Sequence, residues 1–139
     1  MLTLPTFTAN YGFMAHLPEV TPEAAKERIT QALKAEGFGI LTEIDVAATF
    51  HKKLDREYPP YFILGACNPE LAWQALHVEP GIGLLLPCNV CVWAAPGGSG
   101  IGIAKPEAMF GIVANPALKG LVADASERLQ RALTAAQRG

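Results

Sequence analysis

Three cysteines and two acids are the residues of this chain whose types and spacing could carry chemistry. Cys67 and Asn68 stand in "ILGACNPE", and Cys88, Asn89 and Cys91 in "GLLLPCNVCVW". Two thiols separated by two residues have a metal-site or redox spacing. Zinc wants about four ligands, however, and His16, His51 and His77 have no ligand spacing relative to the cysteines. On a strand, a separation of three sends side chains to opposite faces. Cys88 and Cys91 therefore cannot share one ion unless a bulge intervenes, for which Pro87 would be the place. Packing is the simpler role for this pair.

Cys67 differs, because it ends an apolar strand and precedes the start of a helix. Unpaired N–H groups and the helix dipole at such a place favour a thiolate. Against that stands the ordinary fate of cysteine, burial as a small apolar group. Asn68 has capping as a sufficient structural role, and ligand contact as a second one. Asn89 lies in a strand with no capping duty, so its amide either binds a ligand or staples a neighbouring loop. Glu43 and Asp45 are carboxylates on one strand face. If they shared a pocket, repulsion would raise one pKa and create an acid-base pair. The alternative is that Asp45 caps the next helix and Glu43 bonds a lysine or solvent.

The elements that must position these residues are legible in the punctuation. "NYGFMAHL" suits a first strand. "TPEAAKERITQALKAEG" is a helix capped by Thr21, opened by Pro22 and stopped by Gly37, with Ala25, Ile29, Ala32 and Leu33 as its buried stripe. "FGILTEIDV" alternates, putting Phe38, Ile40, Thr42 and Ile44 on one face and Leu41, Glu43 and Asp45 on the other. A short helix "VAATFHKKL" follows, then the apolar strand "YFILGA", then a helix opened by Asn68 and Pro69. Residues 82–95 and 100–105 are expected to form a hairpin around a glycine-rich turn. After an irregular "PEAMFGIVA", Asn115 and Pro116 start a last helix with a stripe at Leu118, Leu121, Val122, Ala125, Leu129 and Ala132. The order β-α-β-α-β-α-β-β-α predicts an α+β fold with helices packed on one sheet. No phosphate loop follows a strand, which argues against a dinucleotide fold.

Composition narrows the function classes. The 139 residues are expected to form a single domain, residues 1–139. Half of them are apolar, 17% are charged and the net charge is −2, with both signs interleaved. Without a basic stripe, nucleic acid is not an expected partner. Residues 81–104 carry no charge, long enough to span a bilayer. Pro87, Asn89, Pro96 and "PGGSG" interrupt that run, so a buried hairpin is expected and no membrane partner. The start has no charged region followed by an apolar one, and three cysteines make no disulfide framework. A cytoplasmic location is the expectation.

"EGFGILTEIDVAATFHKKL", "YFILGACNPELAWQAL", "GIGLLLPCNVCV" and "PEAMFGIVANPAL" together resemble the successive motifs of the Domain of Unknown Function 302 family, over about residues 10–135. The resemblance implies a compact α+β domain with a two-layer arrangement like that of the TATA-binding protein, and commonly a homodimer. It implies no reaction. The matching positions are Glu43, Asp45, Gly65, Cys67, Asn68, Pro69, Pro87, Cys88 and Asn89, whereas Cys91 departs from the family's aliphatic residue.

The sequence thus points to a dimeric module holding a small ligand or a soft metal through a Cys-Asn patch. Cys67, Asn68, Cys88, Asn89, Glu43 and Asp45 are its candidate binding residues, and Cys67 and Cys88 its candidate metal ligands. A thiol enzyme with Cys67 as nucleophile and Glu43 as its partner is the alternative. A structural oligomer with inert thiols is the third. The sequence leaves the cofactor unknown.

Overall fold

The computed structural model describes residues 2–139. Five strands form one antiparallel sheet in the order β1-β5-β4-β3-β2. They are β1 (Gly12–Pro18), β2 (Gly39–Asp45), β3 (Tyr61–Cys67), β4 (Cys88–Ala95) and β5 (Gly98–Ala104). The helices are α1 (Pro22–Ala35), α2 (Val46–Leu54), α3 (Pro69–Val78), α4 (Pro106–Phe110) and α5 (Lys119–Arg138). This is the expected α+β fold, with α1 and α5 laid side by side on one sheet face.

The core is what strand alternation dictates. Phe62, Leu64 and Ala66 of β3 register with Val92, Val90 and Cys88 of β4, and Val92 and Val90 with Ile101 and Ile103 of β5. Against these lie Ala25, Ile29 and Leu33 of α1, together with Ala125, Leu129, Ala132, Leu133 and Ala136 of α5. Thr21 accepts a hydrogen bond from Ala24 N at 3.2 Å and so caps α1. Gly37, with φ of 86°, ends that helix in the left-handed region.

The structure corrects the strand assignments in three places. Residues 80–85 form a 3-10 helix, so β4 begins only at Cys88. Pro80 and the glycines at 81 and 83 favour that tight turning over an extended run. The hairpin turn consists of Pro96 and Gly97, because Ala95 already pairs with Gly98, and "GSG" belongs to β5. In β2 the register slips between Ile40 and Thr42, leaving Leu41 without a partner. That bulge reverses the alternation, so the predicted common face of Phe38, Ile40, Thr42 and Ile44 is split. Ile40 registers with core Ala66, whereas Thr42 and Ile44 register with Gly65 and Ile63 on the opposite face. Glu43 and Asp45, opposite Leu64 and Phe62, accordingly turn toward the helices.

The "PEAMF" segment, expected to be irregular, is the helix α4. Asn115 caps a short 3-10 turn over Pro116–Leu118, which leads into α5. Among the described residues no helix is long and apolar enough to cross a membrane.

Candidate functional site

β3 runs out at Cys67, and the chain turns directly into α3. Asn68 makes that turn: its Oδ1 accepts from Leu71 N at 3.1 Å, which satisfies one of the free N–H groups of the helix start. The side chain is buried, and its Nδ2 lies so close to Gly37 that a Cβ there would sit 2.9 Å from it. The end of α1 and the start of α3 are thereby packed together. β4 begins beside this place, because Cys88 registers with Ala66, the residue before Cys67. The strand end, α3, the 3-10 turn, α4 and α5 then line a half-open cavity of about 60 Å³.

Cys67, Asn68 and Cys88 all line that cavity. Every other lining side chain is apolar, including Leu71 and Ala75 of α3, Ile82 and Leu86 of the following loop, Phe110 of α4 and Val122 of α5. The expected convergence of Cys67 with Cys88 is therefore present. Their chemistry runs against the thiolate expected at the helix start. Burial pushes the Cys67 thiol up. Burial, followed by the proximity of Cys67, pushes Cys88 up to about 11. Both are neutral thiols at pH 7, poor nucleophiles and poor ligands until deprotonated.

The other candidates lie elsewhere. Cys91 is on the opposite sheet face, as period two requires. It registers with Ile63 and lies beside Tyr61. Burial raises the Cys91 thiol, with Tyr61 acting the other way, and burial, with Cys91 beside it, raises Tyr61 above the ordinary tyrosine range. Asn89 is exposed and lines a separate 180 Å³ depression together with Cys88 and Phe110. Glu43 pairs with Lys26 of α1 at 3.0 Å, and Asp45 caps α2 by accepting from Ala48 N at 2.9 Å. Neither carboxylate lines the cavity. His77 bonds the Trp73 carbonyl oxygen at 2.9 Å near the end of α3. Among the described residues no three of His, Cys, Asp and Glu are grouped so as to hold a metal ion.

The cavity also uses residues that the sequence reading passed over. Phe110, Leu86 and Ile82 come from segments assigned as irregular or extended. Pro106 at the first helical position, followed by Glu107, was the available signal for α4.

No curated protein matches this chain. A family model described as "Domain of unknown function DUF302" matches residues 14–136. The fold is similar to the crystal structure of an uncharacterized conserved DUF302 protein from Bacillus stearothermophilus, with a TM-score of 0.83 and 32% identity. That similarity covers 92% of this chain and 99% of the other. With nearly its whole length inside the family model and sharing the fold of a solved member, the chain belongs to the DUF302 family.

Proposed function

We propose that this domain is a binding module for a small apolar ligand, held in the cavity between the β3–β4 strand ends, α3 and α5. The observation that carries the reading is the lining: two thiols, Cys67 and Cys88, and the Asn68 amide, whose oxygen is held by Leu71 N, in an otherwise apolar wall. Neutral thiols are soft, polarizable surface, suited to an apolar guest. Two thiols of raised pKa without a third donor make a poor metal site, which favours the apolar ligand over a soft metal. The same raised values, with the Asn68 amide oxygen committed to Leu71 N, disfavour Cys67 as a nucleophile.

At about 60 Å³ the resting cavity is far below the roughly 300–1,000 Å³ of typical small-molecule sites, so xenon is the probe matched to it. Xenon NMR on the whole chain is expected to show a saturable shift. Ala75→Leu, which adds bulk to the wall, is expected to abolish it. A xenon response equal in both proteins, or none in the wild type, overturns the reading.

We also infer that the module is a homodimer joined through the sheet face that α1 and α5 leave open. Ile44, Ile63, Cys91, Gly102 and Met14 form one row across all five strands on that face. The rows on either side of it, Thr42–Gly65–Asn89 and Tyr61–Trp93–Gly100–His16, add no Asp, Glu, Lys or Arg. An uncharged sheet face of this extent is the kind of surface a second copy covers.

A further inference from the structure

We propose that the depression beside the N-terminal segment is a second binding site, for a small neutral molecule carrying a primary amide, with Trp93 and His16 as its polar contacts. It shares no lining residue with the cavity between α3 and α5, so the two sites stand or fall separately. The depression holds about 380 Å³, within the roughly 300–1,000 Å³ of small-molecule sites. It lies at the end of the bare sheet face that the N-terminal segment covers. There Leu4 N donates to Ala94 O at 2.9 Å, and Phe7 packs on Trp93. Phe7, Met14 and Pro96 give it apolar walls, and no Asp, Glu, Lys or Arg lines it.

The Trp93 indole is the group that asks for a ligand. The residue is only 6% exposed, yet its Nε1–H makes no hydrogen bond among the described residues, and no fully enclosed side-chain nitrogen there lacks a partner. The donor is therefore reached from outside, and the placement of the ring says from where. A Cβ on Gly100 would overlap the Nε1 edge, whereas one on Gly102 would touch Cζ3 and Cη2 at 3.3 and 3.4 Å. Gly100 lines the depression and Gly102 does not. The edge that carries the donor is thus the edge at the depression. An indole N–H buried in this way ordinarily finds an acceptor, and here a bound molecule supplies it.

His16 supplies the complementary group. It stands opposite Gly100 in register and lines the same depression. Its Nε2 lies 3.0 Å from the Pro96 carbonyl oxygen. A carbonyl only accepts, so Nε2 carries the hydrogen, and Nδ1 of the neutral ring is left as an acceptor. A donor and an acceptor flanking Gly100 on an uncharged wall match the carbonyl and the N–H of an amide. A charged ligand would lose its hydration there with no ion to replace it.

Proton–nitrogen NMR of the whole chain, titrated with benzamide, acetophenone and benzoate, tests this. Trp73→Phe assigns the two indole signals. Benzamide is expected to move the Trp93 indole proton downfield, saturably, with a dissociation constant on the order of 1 mM for so small a ligand, and to leave Trp73 in place. Acetophenone keeps the ring and the carbonyl but has a methyl group where benzamide has its NH₂. It is expected to bind about tenfold more weakly, and benzoate at least as weakly. His16→Leu is expected to weaken benzamide about tenfold and to leave acetophenone within about twofold. Because His16 is exposed, that variant keeps the sheet intact. An unmoved Trp93 signal, equal affinity for benzamide and acetophenone, or benzamide binding indifferent to His16→Leu refutes the proposal. If xenon enters the inner cavity while benzamide leaves Trp93 unmoved, this site alone falls.

Discussion

A cysteine's neighbours decide its chemistry more than its motif does. Cys67 sits where a helix start could stabilise a thiolate, yet it precedes the cap, and desolvation is the cause that shifts it. Cys88 is more deeply enclosed and its pKa is pushed up to about 11. Alkylation by iodoacetamide, followed for each cysteine by mass spectrometry, is expected to be slower than for a free thiol at pH 7. Cys88 should be the slowest, its rate still climbing beyond pH 9. Fast reaction of Cys67 near pH 6 would restore the enzyme reading. The same shift has a stability consequence. Between the ordinary thiol value of 9.0 and about 11, the folded state keeps a proton that the unfolded chain loses. Stability from this group is thus full below pH 9 and falls as pH rises through that window, by on the order of 2 kcal/mol. Cys88→Ala should flatten that part of the urea-midpoint profile relative to wild type.

Among the elements, β4 and β5 show how a strand is fitted to one side chain. Trp93 lies across β5, stacked beside Tyr61 at 6.1 Å between ring centroids and beside Phe7 at 4.9 Å. Gly100 stands opposite it in register, and a Cβ at that position would overlap the indole ring. Gly100→Val must therefore expel Trp93 or part the strands, although valine is the better strand former. A loss of about 1–3 kcal/mol is expected in urea unfolding, with a collapsed tryptophan signal in near-ultraviolet circular dichroism. An unchanged midpoint would mean that the ring is free to leave. The apolar patterns of "YFILGAC" and "CNVCVWAA" announced two strands, but the need for a glycine opposite Trp93 emerges only once their register is set. The bulge at Leu41 is a second case. Period-two reading places Ile44 with the core, whereas one extra residue turns it outward and brings Glu43 to Lys26.

The whole molecule has one clothed sheet face and one bare one. α1 and α5 cover the first, and the Tyr61–Trp93 end of the second carries the N-terminal segment, where Phe7 meets Trp93, and Tyr58 after α2, where it meets Tyr61. A homodimer through that face is expected to register as twice the chain mass in light scattering. Ile44→Lys is expected to yield monomers, because the side chain is 48% exposed on this face and its charge would be buried against a partner. Monomeric wild type at high micromolar concentration would sink the idea, and the bare face would then be a solvated surface.

The order of the five strands with α1, α2, α3 and α5, the caps at Thr21, Asp45 and Asn68, and the opposite facing of Cys88 and Cys91 are already written in the order of the amino acids. They depend on local periodicity and on backbone groups only a few residues away. The rest belongs to the folded chain. The register slip at Leu41, the meeting of Cys67 and Cys88 in one pocket, and the place of Phe110 in its wall all depend on residues far apart in the chain. Burial, and with it the neutral state of the thiols, is a property of packed neighbours, and no local pattern encodes which neighbours those will be.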